Sequence, residues 1–260
     1  MIKKEYPLVT VVTPSYNQGQ YIEETILSVL NQTYKNIQYI VVDGGSSDNT
    51  MQVIERYRNK IDIVIHEIDN GQTDAINKGF KLAKGELVGW INSDDILYAD
   101  CVKKIVELYN KNNDGAIYYS CFNDFIDGTG KLLTTYKMLI KSRDYLLNKN
   151  YSIIQQASFY NTGIVKQVGY LDVSIHYCMD MDLWLKLLKY GPIYAFNERP
   201  LSAFRLWGET KTTKGRYRFL RETRKILIKN GASWFSQNIA RTYWREFKGH
   251  IKQILLKLQN

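Results

Sequence analysis

The stretch "GELVGWINSDDI", Gly85 to Ile96, decides how the chain is read: an apolar run through Leu87, Val88, Trp90 and Ile91 stops at Asn92, Ser93 and two adjacent aspartates. A short apolar run bounded by polar residues marks a buried strand. Neighbouring carboxylates repel, and the end of such a strand partly desolvates them, so something cationic is expected beside them. Mg²⁺ and Mn²⁺ prefer oxygen ligands and are usually held by one or two carboxylates plus substrate phosphates, so Asp94 and Asp95 point to a divalent ion shared with a diphosphate. The plainer alternative, an Asp capping a helix over "ILYADCVKKIVELY", explains one carboxylate and leaves its neighbour idle.

The same pattern recurs upstream. "LVTVVTP" (8–14), "IQYIVVDGG" (37–45) and "IDIVIHE" (61–67) are apolar or β-branched runs that end in polar clusters. Between them, 20–33, 48–60 and 73–85 repeat apolar residues every three to four, which predicts helices. Strands alternating with helices imply βαβ units and a mainly parallel sheet, whose strand ends gather on the edge where open α/β sheets bind ligands. Past about residue 115 the alternation fades. Strands are expected at 116–125 and 131–138, joined by a turn at "IDGTGK", and a helix in "MDMDLWLKLLKYG" with Leu183, Leu187 and Leu188 on one face and Gly191 as C-cap.

Composition supports a folded protein, 45% apolar and 23% charged over 260 residues. Cys101, Cys121 and Cys178 lack any CxxC spacing, so neither a disulfide framework nor a zinc site is suggested, and a reducing cytoplasm is the simple setting. The first apolar run stops at Pro14, which suits a strand better than a signal peptide, and no apolar segment is long enough to cross a bilayer. The net charge of +9 sits in the tail: 211–260 hold 13 Lys and Arg against Glu222 and Glu246, leaving 22 basic and 24 acidic residues elsewhere. Nucleic-acid binding is therefore not inferred for the first 210 residues.

The polar clusters carry the chemistry. Pro14, Tyr16 and Asn17 end the first strand with a stacking face and hydrogen-bonding groups that suit a nucleobase. Asp43 follows the second strand, placed to accept from a base N–H or a ribose hydroxyl, with Asp48 as a helix cap. Asp69, Asp74 and Asn77 lie in the third cluster and Asp94 and Asp95 close the fourth. Gln155 and Gln156 are candidates for sugar hydroxyls. His66, His176 and His250 have no second His or Cys at ligand spacing, so a zinc site is not suggested.

The ordered set "TPSYN", "VVDGGSSDNT", "DNGQTDAINKGF", "GWINSDD", "IIQQASFY", "HYCMDMDLWLKL" and "FRLWGETKT", over residues 7 to 213, resembles the family 2 glycosyltransferases of bacterial polysaccharide assembly. The resemblance implies a GT-A fold over 1–210, with a nucleotide-sugar half (1–115) and an acceptor half (116–210), followed by a basic tail (211–260). It further implies a nucleotide-sugar donor, by family habit a UDP-sugar, a divalent cation (Mg²⁺ or Mn²⁺), and inverting transfer to a hydroxyl of a glycan or lipid-linked acceptor. Residue by residue, it assigns Pro14, Tyr16 and Asp43 to the nucleoside pocket and Asp74 to the donor side. Asp94 falls near the ribose or metal, Asp95 is the principal metal ligand, and Asp180 the general base, with Asp182 as its competitor. Met179 stands where relatives often have Glu, and Trp207 where many have a His near the metal or diphosphate.

Two rivals remain. A sugar-phosphate nucleotidyltransferase needs the same pocket, but its phosphate loop is usually basic and Gly-rich, and "TPSYNQGQY" has no Lys or Arg. A non-catalytic nucleotide-sugar-binding protein is kept open by Met179 and Trp207. In the tail, Phe235, Ile239, Tyr243, Phe247, Ile251, Ile254 or Leu255, and Leu258 recur at helical spacing among Arg241, Arg245, Lys248 and Lys252. Residues 215–258 are thus expected either to lie on an anionic membrane face or to pack on the catalytic domain or a second subunit.

Overall fold

The structure, a computed structural model, describes residues 6–208 and 215–258, without the side chains of 216, 250 and 252–258. Four parallel strands form its first half: β1 (Val9–Ser15), β2 (Ile37–Asp43), β3 (Ile63–His66) and β4 (Leu87–Trp90). They are linked by α1 (Ile22–Leu30), α2 (Thr50–Arg56) with a 3₁₀ turn at Arg58–Lys60, and α3 (Gln72–Lys81). Side chains alternate faces along a strand, and here both faces are covered. Val9, Val11, Tyr39, Val41 and Leu87 enter one core, and Val12, Ile40, Val42, Val88 and Trp90 the other.

After β4 the chain makes the short β5 (Ile96–Leu97) before α4 (Cys101–Lys111), whose N-cap is Asp100, so neither Asp94 nor Asp95 caps that helix. The run expected as one strand over 116–125 is two. β6 (Ile117–Ser120) joins the large sheet, while β7 (Phe122–Ile126) enters a second sheet and pairs with β8 (Leu132–Lys137), as the glycine turn predicts. The break falls at Cys121, fully buried, whose N–H donates to the Phe196 carbonyl. There follow α5 (Arg143–Asn148), β9 (Ser158–Asn161), α6 (Thr162–Gln167), α7 (Met179–Leu187), β10 (Ile193–Phe196) and β11 (Ser202–Arg205). The large sheet runs β10-β6-β9-β4-β1-β2-β3 with β9 antiparallel, and the small one β5-β11-β7-β8. The predicted helix of the second half ends at Leu188 rather than at Gly191, whose role is close approach: a Cβ there would meet Asp114 O at 2.9 Å and Ala116 N at 3.0 Å.

The segment expected as a tail forms α8 (Arg216–Lys229) and α9 (Gln237–Leu258). Ile226, Leu227, Ala232 and Ile239 belong to the same buried core as α3 and α7. Asn238 donates to the Leu146 and Leu147 carbonyls at 2.8 Å, and Arg143 donates to the Leu185 and Asn230 carbonyls. The predicted apolar stripe, however, does not supply the packing face. Of its described members only Ile239 is buried; Phe235 is 97% exposed, and Tyr243, Phe247 and Ile251 are exposed too. Asn238, Ile239 and Thr242 face inward instead, so polar hydrogen bonding, invisible to a hydropathy pattern, sets the helix rotation. Ile254, Leu255, Leu258 and Lys252 lie outside the described side chains. Among the described residues no helix is long and apolar enough to cross a membrane.

Candidate active site

A cleft of about 730 Å³ opens where β1, β2 and β4 end, and residues of both halves line it. Pro14 of β1 and Tyr16 just beyond it line the cleft; Tyr16 is 61% exposed and open for stacking. Asn17, in the left-handed region at φ 51°, spends its side chain accepting the Ser47 N–H, tying the first two loops together.

Asp43 does not reach the cleft surface. It is fully buried; its Oδ2 accepts the Gly45 and Ser46 N–H groups and meets His66 Nδ1 at 2.7 Å, and its Oδ1 accepts from Ser46 Oγ. The carboxylate builds the turn, and the turn presents Gly44 and Gly45 to the cleft. Gly45 sits at φ 82°, and a Cβ on Gly44 would lie 2.4 Å from Asp69 Oδ2, so the two glycines let the Asp69 carboxylate, a cleft residue, approach the backbone. Asp74 faces elsewhere: its Oδ2 accepts the Asn70 N–H and lies 3.6 Å from Lys78 Nζ.

The two aspartates of the opening motif part company. Asp95 is fully enclosed; Oδ1 accepts the Arg205 N–H at 3.0 Å, and Oδ2 accepts from Asn92 Nδ2 at 3.0 Å and Gln156 Nε2 at 3.3 Å. Asp94 lines the cleft, where its Oδ2 accepts the Trp207 indole N–H at 2.9 Å. Asp94, expected near ribose or metal, is the one that faces ligand space, whereas Asp95, expected as principal metal ligand, joins β5 and β11 to the loop. Burial raises both carboxyls above the usual range, Asp95 furthest because the Asp94 charge adds to it.

Part of the cation that the pair demands belongs to the chain. Arg205, 1% exposed at the end of β11, donates through Nε to the Asp94 carbonyl, pairs with Glu24 at 2.6 Å and lies over the Tyr21 ring. Tyr21 in turn meets Trp207 edge-on, with centroids 5.2 Å apart. The sequence signal for Arg205 is its place in "FRLWGETKT", two residues before the expected metal-side position 207. Trp207 offers an N–H and no lone pair, so it orients a carboxylate rather than binding a metal.

Gln155 and Gln156, candidates for sugar hydroxyls, precede β9, and their amides are used internally, Gln155 Nε2 on the Trp90 carbonyl at 2.8 Å and Gln156 on Asp95. From the second half, His176, Tyr177, Met179 and Asp180 line the cleft. Asp180 opens α7, and burial pushes its carboxyl up to about 6. Its competitor Asp182 is fully buried and paired with Lys186 at 2.6 Å, away from the cleft lining. The Met179 sulfur accepts from Thr73 Oγ1, so this departure from the usual carboxylate ties α7 to α3. Glu209 to Thr212 of the last motif lie outside the described residues.

Among the described residues no three His, Cys, Asp or Glu side chains group to hold a metal. At the end of β4 the cleft has the Asp94 carboxylate, with one oxygen not engaged by Trp207, while the Asn92 side chain is taken by Gln72 and Asp95. The Asp94 carboxylate fits a hard divalent cation completed by phosphate oxygens and water. No Lys or Arg is among the described residues lining the cleft, while Asp69, Asp94 and Asp180 are.

The model of the family described as Glycosyl transferase family 2 matches residues 10–169. An uncharacterized glycosyltransferase of Rickettsia typhi is 29% identical over 97% of this chain and 84% of its own length. TuaG of Bacillus subtilis, named for teichuronic acid biosynthesis, is 32% identical over 74% of this chain and 77% of its own. Chondroitin synthase of Escherichia coli is 30% identical over 75% of this chain, which spans only 28% of that enzyme. In fold, the chain superposes on S. aureus TarS 1-349, solved with UDP-GlcNAc, at TM-score 0.69 and 18% identity over 93% of this chain and 73% of that one. A Pyrobaculum calidifontis mannosyltransferase solved with GDP-Man and Mn²⁺ gives 0.66 at 16% identity over 92% and 69%. The fold is that of the GT-A glycosyltransferases, and with the family model covering well over half of its length the chain belongs to glycosyl transferase family 2.

Proposed function

We propose that this protein is an inverting glycosyltransferase of cell-surface polysaccharide synthesis, moving a sugar from a UDP-sugar to a hydroxyl of a glycan or lipid-linked acceptor with help from Mg²⁺ or Mn²⁺. The observation that carries the reading is that Asp94 and Asp180, from the two halves of the chain, line one cleft at the ends of the parallel strands. Tyr16 and Pro14 stack on the base, and the Gly44–Gly45 turn, shaped by Asp43, lets the donor approach the backbone. Asp94 would hold the cation; Asp95 holds the loop that presents Asp94, and Asp74 acts only through the α3 turn. A bound divalent ion offsets the charge that develops on the leaving diphosphate. No Lys or Arg is among the described lining residues, and His176 is the lining side chain able to carry a positive charge.

On the acceptor side, Asp180 takes the hydroxyl proton as the oxygen attacks the anomeric carbon, and a single displacement inverts that centre. A carboxyl raised to about 6 suits this role, since it is ionised near neutral pH yet more basic than an ordinary aspartate. The exposed aromatics Trp234, Trp244 and Phe247, next to exposed Arg245 and Lys248, support a reading in which α9 rests on an anionic bilayer and brings the cleft to a lipid-linked acceptor, on the cytoplasmic face.

A panel of nucleotide sugars with Mn²⁺ tests the reading. One donor releases nucleoside diphosphate, slowly even without acceptor, and EDTA weakens UDP binding at least about tenfold. Release of pyrophosphate, or of nucleoside monophosphate, defeats it.

A further inference from the structure

The loop that leads Asp180 into the cleft is held from two sides. From α3, Thr73 Oγ1 donates to the Ile175 carbonyl at 3.3 Å, and Asn77 exchanges two hydrogen bonds with the Leu171 backbone at 2.9 and 3.1 Å. From α8, Glu222 Oε1 accepts the His176 N–H at 2.9 Å, and Oε2 accepts those of Tyr177 at 2.5 Å and Cys178 at 2.9 Å. Three successive amides converging on one carboxylate make an anion-binding concavity, filled here by the chain's own side chain. Cys178 is the N-cap residue of α7, so Glu222 closes the end of the helix that carries Asp180. Thr223 adds a contact, its hydroxyl 3.2 Å from Cys178 Sγ. Residue 222 lies beyond the region matched by the family model.

We infer that Glu222 is a positioning residue for glycosyl transfer: by holding the three amides at the head of α7 it fixes where Asp180 points in the cleft. The inference rests on the reading of Asp180 as the base. The Glu222 charge disfavours ionisation of Asp180, adding to the effect of burial. Tyr160 of β9 and Cys178 also face Asp180; burial pushes both up, so they stay neutral at working pH. His176 and Tyr177 share the cleft wall.

The test compares the full-length wild type with Glu222→Gln, Glu222→Asp and Asp180→Asn. Hydrogen exchange of the peptide spanning 176–178 needs no substrate. In Glu222→Gln, which keeps the side-chain shape but turns an amide N–H₂ toward backbone donors, exchange should accelerate roughly tenfold or more. The second readout is the pH profile of UDP release from UDP-GlcNAc with Mn²⁺. Its acid limb should move to lower pH in Glu222→Gln, with kcat reduced and donor KM within about threefold. Glu222→Asp, which keeps the charge, should leave the limb where the wild type has it. Profiles are repeated in a His176→Gln background because imidazoles titrate in the same range. Unchanged exchange in Glu222→Gln overturns the positioning role, and a lower rate with an unmoved limb overturns the effect on basicity. Full turnover by Asp180→Asn instead sinks the base assignment and leaves the exchange result standing, so the two failures are distinguishable.

Discussion

Replacing each member of the aspartate pair separately should divide stability from ligand binding. In Asp95→Asn one oxygen still accepts the Arg205 N–H, but the new amide N–H₂ turns toward the side-chain amides of Asn92 and Gln156, which have no acceptor left at that position. Each stranded buried donor costs about 1–3 kcal/mol, so the two cost about 2–6 kcal/mol, offset in part near neutral pH by removal of a carboxyl whose ionisation burial and Asp94 disfavour, for a net loss of about 2–4 kcal/mol. For a chain of this size that is a fall in Tm of about 4–16 °C. Asp94→Asn keeps an acceptor for the Trp207 N–H at a half-buried position, so its stability should stay within about 1 kcal/mol of the wild type. It removes the carboxylate that faces the cleft, however, and with it Mn²⁺-stimulated UDP binding. Differential scanning calorimetry of both variants, with titration calorimetry of UDP in Mn²⁺ and in EDTA, reads both quantities. The reasoning is refuted if Asp94→Asn melts below Asp95→Asn, or if Asp94→Asn binds UDP with an undiminished Mn²⁺ effect.

Asp180→Asn should abolish sugar transfer while leaving UDP affinity within about twofold. The folded state raises this carboxyl to about 6 from 3.8, so its contribution to stability is complete below about pH 4 and is lost as pH rises through about 6. The Asn variant should therefore melt above the wild type at pH 7 to 8, with the gap closing toward pH 4; an equal or lower Tm at neutral pH contradicts the burial argument. For α9, Trp244→Ser with Phe247→Ser should lower sedimentation with vesicles of 30% phosphatidylserine by about tenfold, and raised salt should weaken wild-type binding. Equal sedimentation of variant and wild type removes the membrane reading.

Where the sequence was decisive, the signal was local. Apolar runs buried on both faces, separated by helical periods, dictate parallel strands, and parallel strands bring residues 14–16, 43–45 and 90–94 to one edge whatever the details of packing. The acceptor half was less legible because its elements switch sheets: nothing in the run through "YYSCF" announces that one strand ends at Ser120 and another starts at Phe122, since the break at Cys121 depends on Phe196 from a distant strand. The same limit applies to the site. A pair of aspartates states that charge must be compensated, but not by what; the fold assigns Asp95 to Arg205, Asn92 and Gln156 and leaves Asp94 facing the cleft. Asp180 and Asp182 are alike in sequence, and only the rotation of α7 sends the first to the cleft and the second to Lys186. Glu222 shows the gap at its widest, because accepting three amides 44 to 46 residues away has no sequence signature. Pattern and propensity act over one helical turn or one strand, whereas the partner of a buried polar group is chosen by whichever distant segment the packed chain delivers to it.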